Sequence, residues 1–363
     1  MMRHSSVRDL DWTLLGFVLA LCTLGVLQIY SATRSTVWRG AHYKQVGYIL
    51  AGLLFLWLVA QFDYHALLDR VPVFYLLAVV ALVAVYIVGQ VRFGARRWIP
   101  LIWGFQFQVS EFVKLVLVLL VARYFAEVRR DSVSGSDLLK IGALAGVPML
   151  LVMKQPDLGT ALSYAPIVAG GILGAGLRWK HVATLLIVGA LVLPAGWHFL
   201  KPYQKERLMT FKDLNRDPRG SGYQLIQSRI AVGAGGLWGK GIAQGTQTQL
   251  RFLPVPHTDF IFSAYAEEHG FTGVLLALAL YFVVLMRIIY NAQTAADRAG
   301  ALVCLCVALL LLFHLLVNVG MVVGRMPVTG IPLPFMSFGG SGMLTIFMLL
   351  GLVNSVRLRR FVN

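Results

Sequence analysis

Charged residues are scarce in this sequence. Only 13% of the 363 residues are Asp, Glu, Lys or Arg, whereas a soluble domain contains about 25%. Hydrophobic residues make up 58% of the chain, and no soluble fold of this length needs so large an apolar surface. The shortage of charge therefore excludes an ordinary soluble domain and indicates a membrane protein.

Cysteine is also scarce, with three residues in the whole chain. Cys22, Cys304 and Cys306 all lie within apolar stretches. The last two are separated by two positions, which points their side chains to different sides of a helix. The sequence therefore predicts neither a disulfide nor a cysteine metal site.

Long apolar stretches, by contrast, recur along the chain. A helix needs about 20 residues to cross the hydrocarbon core of a bilayer, and ten stretches approach or exceed that length. They run roughly from Trp12 to Tyr30, Val46 to Phe62, Val71 to Val91, Phe112 to Ala126, Leu138 to Met153, Leu158 to Leu177, Val182 to Leu200, Phe260 to Tyr290, Ala299 to Val323 and Phe338 to Val356. The predicted fold is an all-α polytopic membrane protein with ten transmembrane helices in a single domain over residues 1–363.

The start of the chain has no feature of a cleaved signal. Its first apolar stretch is followed by Gln28 to Thr33 rather than by a cleavage site of small residues, so we interpret it as a retained helix. Basic residues set the expected orientation. With both termini cytoplasmic, the inner segments hold fourteen Lys and Arg and the short outer loops hold seven, as the positive-inside rule requires.

One connection is long: residues 201–259, between the predicted seventh and eighth helices on the outer side. It carries nine basic residues against four acidic ones, and this net positive charge favours an anionic partner. Lipid headgroups are the simpler candidate partner. However, the loop is also rich in apolar residues, with a possible amphipathic helix over 222–233 and six glycines after it. Such glycines allow a backbone to approach a ligand closely, although they are more often structural.

Ionisable residues at membrane depth are costly and suggest function. Glu111 and Lys114 are spaced to pair on one helix face. Lys154 and Asp157 flank an interhelical turn in which Pro156 interrupts the helix. For both pairs, a structural ion pair that fixes helix register is at least as good an interpretation as a catalytic one.

Asp259 lies in a different setting. It follows the rigid segment that contains Pro254 and Pro256, where the basic loop returns to the membrane and leads to Glu267, Glu268 and His269. Partial desolvation there would raise its proton affinity and suit it to general-base catalysis. The structural alternative is an N-cap for the eighth helix, since Asp is a favoured cap.

Five segments carry a resemblance to a known family. They are GSGYQLIQSRIAVGAGGLWGKGIAQGTQTQLRFLPVPHTDFIFSAYAEEHGFTG (Gly220 to Gly273), RRWIP (Arg96 to Pro100), VSEFVK (Val109 to Lys114), KQPDLGTA (Lys154 to Ala161) and PLPFMSFGGSG (Pro332 to Gly342). In this order they resemble the SEDS proteins of shape, elongation, division and sporulation. The segment before His257 and the absence of a lysine from Met326 to Pro332 resemble the RodA branch more than the FtsW division branch.

The resemblance implies a ten-helix peptidoglycan glycosyltransferase in the bacterial inner membrane. Such an enzyme polymerises lipid II at the outer face during cell-wall elongation and is paired with a class B penicillin-binding protein. The essential aspartate of the family falls on Asp259, as the base that takes a proton from the acceptor hydroxyl. Undecaprenyl pyrophosphate then leaves, and Arg97, Lys114, Arg216 and Arg229 are the candidates for stabilising its charge.

Trp98 and His257 complete the set of expected substrate contacts. The resemblance also implies stimulation by a divalent cation, Mg²⁺ or Mn²⁺, although the sequence shows no ligand cluster that would identify its site. Membrane lipids are expected partners and nucleic acid is not. The main alternative function is a lipid II flippase, for which Glu111, Lys114, Lys154 and Asp157 would suit a polar pathway, and a noncatalytic scaffold is a third possibility.

Overall fold

The protein is described by a computed structural model that covers residues 9–92, 95–100, 106–128, 133–176, 183, 202–217 and 220–360. Helices dominate it. They are α1 (Trp12–Thr33), α2 (Ala41–Gln61), α3 (Tyr64–Asp69), α4 (Val71–Val88), α5 (Val109–Glu127), α6 (Gly135–Lys154), α7 (Leu158–Leu162), α8 (Tyr164–Gly174), α9 (Pro202–Lys212), α10 (Ser221–Ala234), α11 (Thr246–Gln249), α12 (Ile261–Gln293), α13 (Arg298–Val322) and α14 (Gly340–Leu358).

Seven helices within the described residues are long and apolar enough to cross a membrane: α1, α2, α4, α6, α12, α13 and α14. They coincide with seven of the ten predicted stretches. The fourth stretch is α5, which carries Glu111, Lys114, Arg123 and Glu127 and is less apolar. The chain is therefore a multi-pass membrane protein.

Two predicted spans have a different outcome. The sixth is divided into α7 and α8 at Ser163, whose hydroxyl donates to the Thr160 carbonyl. The seventh, Val182 to Leu200, lies outside the described residues except for Ala183. The predicted count of ten helices therefore stays a prediction.

Polar caps begin several of the helices. The Asp11 carboxylate accepts from the Leu14 amide at the start of α1. It also accepts from Arg287 and Asn291 of α12, each at 2.9 Å, and from Arg357 of α14 at 3.1 Å. One buried carboxylate thus ties the ends of three helices together.

The core lies around α13 and α14, which are the most buried of the seven long apolar helices. α13 packs against α5, α8, α12 and α14, and α14 also packs against α2. α4, by contrast, presents most of its side chains outward, as expected for a helix at the lipid boundary. This arrangement places the polar residues of α13 at the centre of the molecule.

A small antiparallel sheet is the element that the all-α prediction missed. Its strands are β1 (Gln90–Arg92), β2 (Ala95–Pro100) and β3 (Gln106–Phe107), in the order β1-β2-β3. Val91 lies opposite Arg96, and Ile99 lies opposite Phe107. The sheet connects α4 to α5 and carries Arg97 and Trp98.

The predicted long loop is largely helical. It contains α9, a 3-10 turn at Leu214–Arg216, α10 and α11. The predicted amphipathic helix over 222–233 corresponds to α10, which buries Leu225, Ser228 and Ala231 and packs against α12. Protein contacts, as well as any membrane surface, therefore cover its apolar face.

Candidate active site

The segment His257 to Asp259 is held in place through its backbone. The Asn318 side-chain amide of α13 donates to the Asp259 carbonyl at 3.0 Å and to the Ile331 carbonyl at 2.9 Å. The Ser337 hydroxyl donates to the Thr258 carbonyl at 2.7 Å, and the Phe338 amide donates to the His257 carbonyl at 2.9 Å. Two separate parts of the fold thus fix where the Asp259 side chain begins.

The Asp259 carboxylate is partly buried against the segment from Val328 to Ile331. Gly330 lies so near that a Cβ added to it would be 3.5 Å from Asp259 Oδ2, and its φ of +72° suits glycine. Burial raises the pKa of Asp259, whereas a hydrogen bond from the Thr258 side chain and the positive charge of Arg207 oppose that rise. A carboxyl with a raised pKa is a better proton acceptor once ionised.

The cap interpretation of Asp259 is wrong. α12 begins at Ile261, and its N-cap is Phe260, with no side-chain cap hydrogen bond. The Asp259 side chain is therefore not used to end a helix, which leaves it available for chemistry.

Arg207 was not among the predicted site residues. It lies on α9, and its Nη1 donates to the Val328 carbonyl at 3.2 Å. In the sequence it was one of nine basic residues in the long loop, and nothing in the local pattern distinguished it. Only the folding of α9 toward the 328–330 segment brings it to Asp259.

Asn318 and His314 were also missed. They are spaced four apart on α13 within an apolar run, so they face the same direction. His314 Nδ1 lies 3.3 Å from the Pro332 carbonyl, one residue beyond the Ile331 carbonyl that Asn318 contacts. The rule that flags polar residues inside a membrane span would have found both.

Glu111 and Lys114 form the ion pair that their spacing predicts. Lys114 Nζ lies 2.8 Å from Glu111 Oε1 and 3.5 Å from His314 Nε2, and both charged side chains are buried. A cavity of about 20 Å³ opens beside Glu111 and His314, lined by Pro332 to Phe335 and Ser337 to Gly339 among others. That is room for one water molecule.

The predicted pairing of Lys154 with Asp157 is wrong. Lys154 ends α6 and is exposed, whereas the chain turns at Gln155 and Pro156 so that Asp157 is buried and caps α7. Asp157 Oδ1 lies 3.5 Å from Arg97 Nη1, and Asp157 Oδ2 accepts from Gln108 Nε2 at 2.9 Å. Arg97 therefore takes the place predicted for Lys154.

Arg97 itself is engaged with this turn. Its Nε donates to the Gln155 carbonyl at 3.1 Å, and its Nη2 donates to the Pro156 carbonyl. The neighbouring Trp98 pairs with Gln90 across β1 and β2 and is half-buried. A substrate anion at Arg97 would have to share or displace these protein contacts.

The glycine-rich segment wraps around the middle of α12. The Lys240 and Gly241 amides donate to the Glu267 and Glu268 carbonyls at 3.0 and 2.9 Å. These carbonyls are free because α12 is interrupted at Gly270, whose φ is +65°. An added Cβ at Gly239 would be 2.2 Å from the Glu268 carbonyl oxygen. The glycines thus serve close backbone packing rather than a phosphate.

Glu267 is fully buried and satisfied. Its carboxylate accepts from Lys240 Nζ at 2.9 Å, from the Gln247 amide at 2.9 Å, and from the Thr248 amide and hydroxyl at 3.2 and 3.1 Å. A charged group with this many donors at the start of α11 is a structural anchor.

The other predicted substrate contacts are dispersed. His257 is buried beside Trp38 and Phe338, with ring centroids 5.4 and 6.0 Å away, and burial lowers its pKa. Arg216 is exposed and lies 3.3 Å from Glu206. Arg229 is exposed, and within the described part of the chain no hydrogen bond or ion pair engages its guanidinium. No group of three or more His, Cys, Asp and Glu residues in that part could hold a metal.

The sequence and fold are similar to known proteins. A protein-family model described as "Cell cycle protein", covering FtsW, RodA and SpoVE, matches residues 12–360. The peptidoglycan glycosyltransferase MrdB of Escherichia coli K12 is 38% identical over 97% of this chain and 94% of its own length.

Two solved structures resemble the fold over nearly the whole chain. One is described as the structural coordination of polymerization and crosslinking by a peptidoglycan synthase complex. It is 34% identical, with a TM-score of 0.83 over 98% of this chain and 99% of that chain. The other, an aspartate-to-alanine variant of the rod shape determining protein RodA of Thermus thermophilus, is 29% identical. Its TM-score is 0.73, with the same shares of the two chains covered.

Proposed function

The chain belongs to the SEDS family, and from that membership we propose that it is a peptidoglycan glycosyltransferase that polymerises lipid II during cell-wall elongation. The observation that carries the proposal is Asp259, a partly buried carboxylate that caps no helix and lies beside a basic residue. The family and the glycosyltransferase activity are supported by relatives that match the chain almost end to end.

The reaction we propose forms one glycosidic bond and breaks one bond to phosphate. The GlcNAc 4-hydroxyl of the acceptor attacks C1 of the MurNAc of the donor and gives its proton to the Asp259 carboxylate. The bond between C1 and the pyrophosphate oxygen breaks, and undecaprenyl pyrophosphate leaves with the electron pair. General-base assistance of this kind is worth about 10²- to 10⁴-fold in rate.

The leaving pyrophosphate needs positive charge nearby. Among the predicted candidates, Arg229 is the most available, because Arg97, Lys114 and Arg216 each have a carboxylate partner. We retain all four, with Trp98 and His257, as proposed substrate contacts. The divalent cation also stays a proposal, and since no ligand set is identified in the described residues, no step is routed through it.

Purified protein supplied with labelled lipid II, without any other polymerase, tests the function. We expect glycan polymer from the wild-type protein and a large loss with Asp259→Asn. Translocation of lipid II between leaflets of a vesicle without polymer would instead favour the flippase.

We also propose a class B penicillin-binding protein as partner, in line with the complex that the similar structure represents. The sequence predicted contact through the eighth and ninth spans. α13, the ninth, is mostly buried, whereas α12 exposes Phe271, Leu275, Leu276, Phe282 and Met286. The apolar face available for helix packing in lipid therefore belongs mainly to α12.

Contact through the membrane predicts that the two proteins co-purify after deletion of the cytoplasmic tail of the partner. Complete loss of co-purification on that deletion would refute it. We further propose that both termini are cytoplasmic and that Asp259 faces outward, on the basis of the distribution of basic residues.

A further inference from the structure

We propose that Arg207 is a positioning residue for the reaction, whose positive charge holds the Asp259 carboxylate in its ionised, proton-accepting state. The inference rests on the proposed role of Asp259 as general base. It adds a residue from α9, an element that contains none of the residues predicted to form the site.

The geometry places both groups at one short segment. Arg207 Nη1 donates to the Val328 carbonyl at 3.2 Å. Two residues further along, the Gly330 Cα lies against Asp259 Oδ2. The 328–330 segment therefore has the guanidinium on one carbonyl and the carboxylate on the neighbouring glycine, which sets Arg207 and Asp259 beside each other.

A carboxylate in this position needs an opposing charge. Burial raises the pKa of Asp259, and the positive charge of Arg207 acts against that rise. Without the charge, more of Asp259 would be protonated at a given pH, and a protonated carboxyl cannot accept the hydroxyl proton. Arg207 therefore determines the pH range in which the base is available.

The other described groups around Asp259 do not supply this charge. The side chains from Val328 to Ile331 are uncharged, and α13 contributes the neutral amide of Asn318. His257, two residues before Asp259, lies between Trp38 and Phe338, and burial lowers its pKa and favours the neutral ring. Arg207 is thus the positive charge facing Asp259 within the described part of the chain.

Two substitutions separate charge from hydrogen bonding. Arg207→Gln keeps an amide donor for the Val328 carbonyl but removes the charge, whereas Arg207→Lys keeps the charge but loses the planar fork. Lys212→Gln is the matched control, because Lys212 is an exposed basic residue on the same helix.

The experiment measures polymerisation of labelled lipid II by each purified variant between pH 5.5 and 8.5, with its melting temperature. For Arg207→Gln we expect a rate about three- to tenfold lower at the acid end than at the alkaline end, relative to wild type, as loss of a nearby opposite charge implies. The acid limb thus moves to higher pH. Arg207→Lys and Lys212→Gln should keep the wild-type profile.

A role confined to structure gives another pattern. Arg207→Gln and Arg207→Lys would then lose activity by the same factor at every pH, with lower melting temperatures, and that result would overturn the inference. A wild-type profile for Arg207→Gln would overturn it as well. If Asp259→Asn polymerises at the wild-type rate, the proposed function of Asp259 fails instead, independently of the Arg207 result.

Discussion

Replacement of Asp259 by Asn tests the central proposal, because it keeps the shape of the side chain and removes its ability to accept a proton. The backbone contacts of the site should persist, since Asn318, Ser337 and Phe338 all donate to main-chain carbonyls rather than to the carboxylate. The start of α12 should also persist, because Asp259 does not cap it. The substitution is therefore expected to leave the fold and lipid II binding intact.

The expected loss is in the rate of the chemical step. Removal of a general base costs about 10²- to 10⁴-fold, which corresponds to about 3–5 kcal/mol of transition-state stabilisation. The assay follows polymerisation of labelled lipid II by purified protein, together with lipid II binding and the melting temperature. Asp213→Asn, an exposed aspartate of the same loop, is the control and should change the rate by less than about twofold.

A wild-type rate from folded, lipid II-binding Asp259→Asn protein would remove Asp259 from the mechanism. Partial rescue by raised Mg²⁺ or Mn²⁺ would instead indicate metal ligation. In the wild-type enzyme, activity should fall as the pH decreases through the pKa of Asp259, which burial raises, because protonation removes the base.

Four further predictions follow from the contacts described above. Arg97→Lys should lower the melting temperature, because lysine cannot make all three contacts with the turn at 155–157; an unchanged melting temperature with weaker lipid II affinity would show that substrate contact is its main role. Asn318→Leu should reduce the turnover rate more than lipid II binding, since it frees Asp259 and strands two buried carbonyls at about 1–3 kcal/mol each; the exposed Leu316→Ala is the control, and equal effects of the two variants would contradict the prediction. Glu267→Ala should destabilise the protein by about 3–5 kcal/mol, because it leaves the buried donors around it unpaired, and chemical denaturation that gave wild-type stability would refute the anchor role. Asp213→Cys should react with an impermeant thiol reagent added outside cells, against a low background because the three native cysteines are buried; labelling only after permeabilisation would reverse the topology.

The sequence by itself determined most of the helical framework. An apolar stretch of about 20 residues has few ways to satisfy its backbone in a membrane other than as a helix, and seven predicted stretches are helices of that kind in the structure. It also located Asp259 and the pair of Glu111 with Lys114, because three-residue spacing on a helix is a local property. The resemblance to the SEDS family depended on the order of short segments, which is again visible without coordinates.

Tertiary structure decided which groups meet. Asp157 pairs with Arg97 from the sheet, 60 residues earlier in the chain, rather than with the nearby Lys154, since the turn after α6 carries it away. Arg207 reaches Asp259 only because α9 folds back toward the 328–330 segment. The glycine-rich segment packs on α12 because the break at Gly270 leaves carbonyls unpaired. In each case the partner is distant in sequence, and no local pattern records a contact that depends on how separate elements pack.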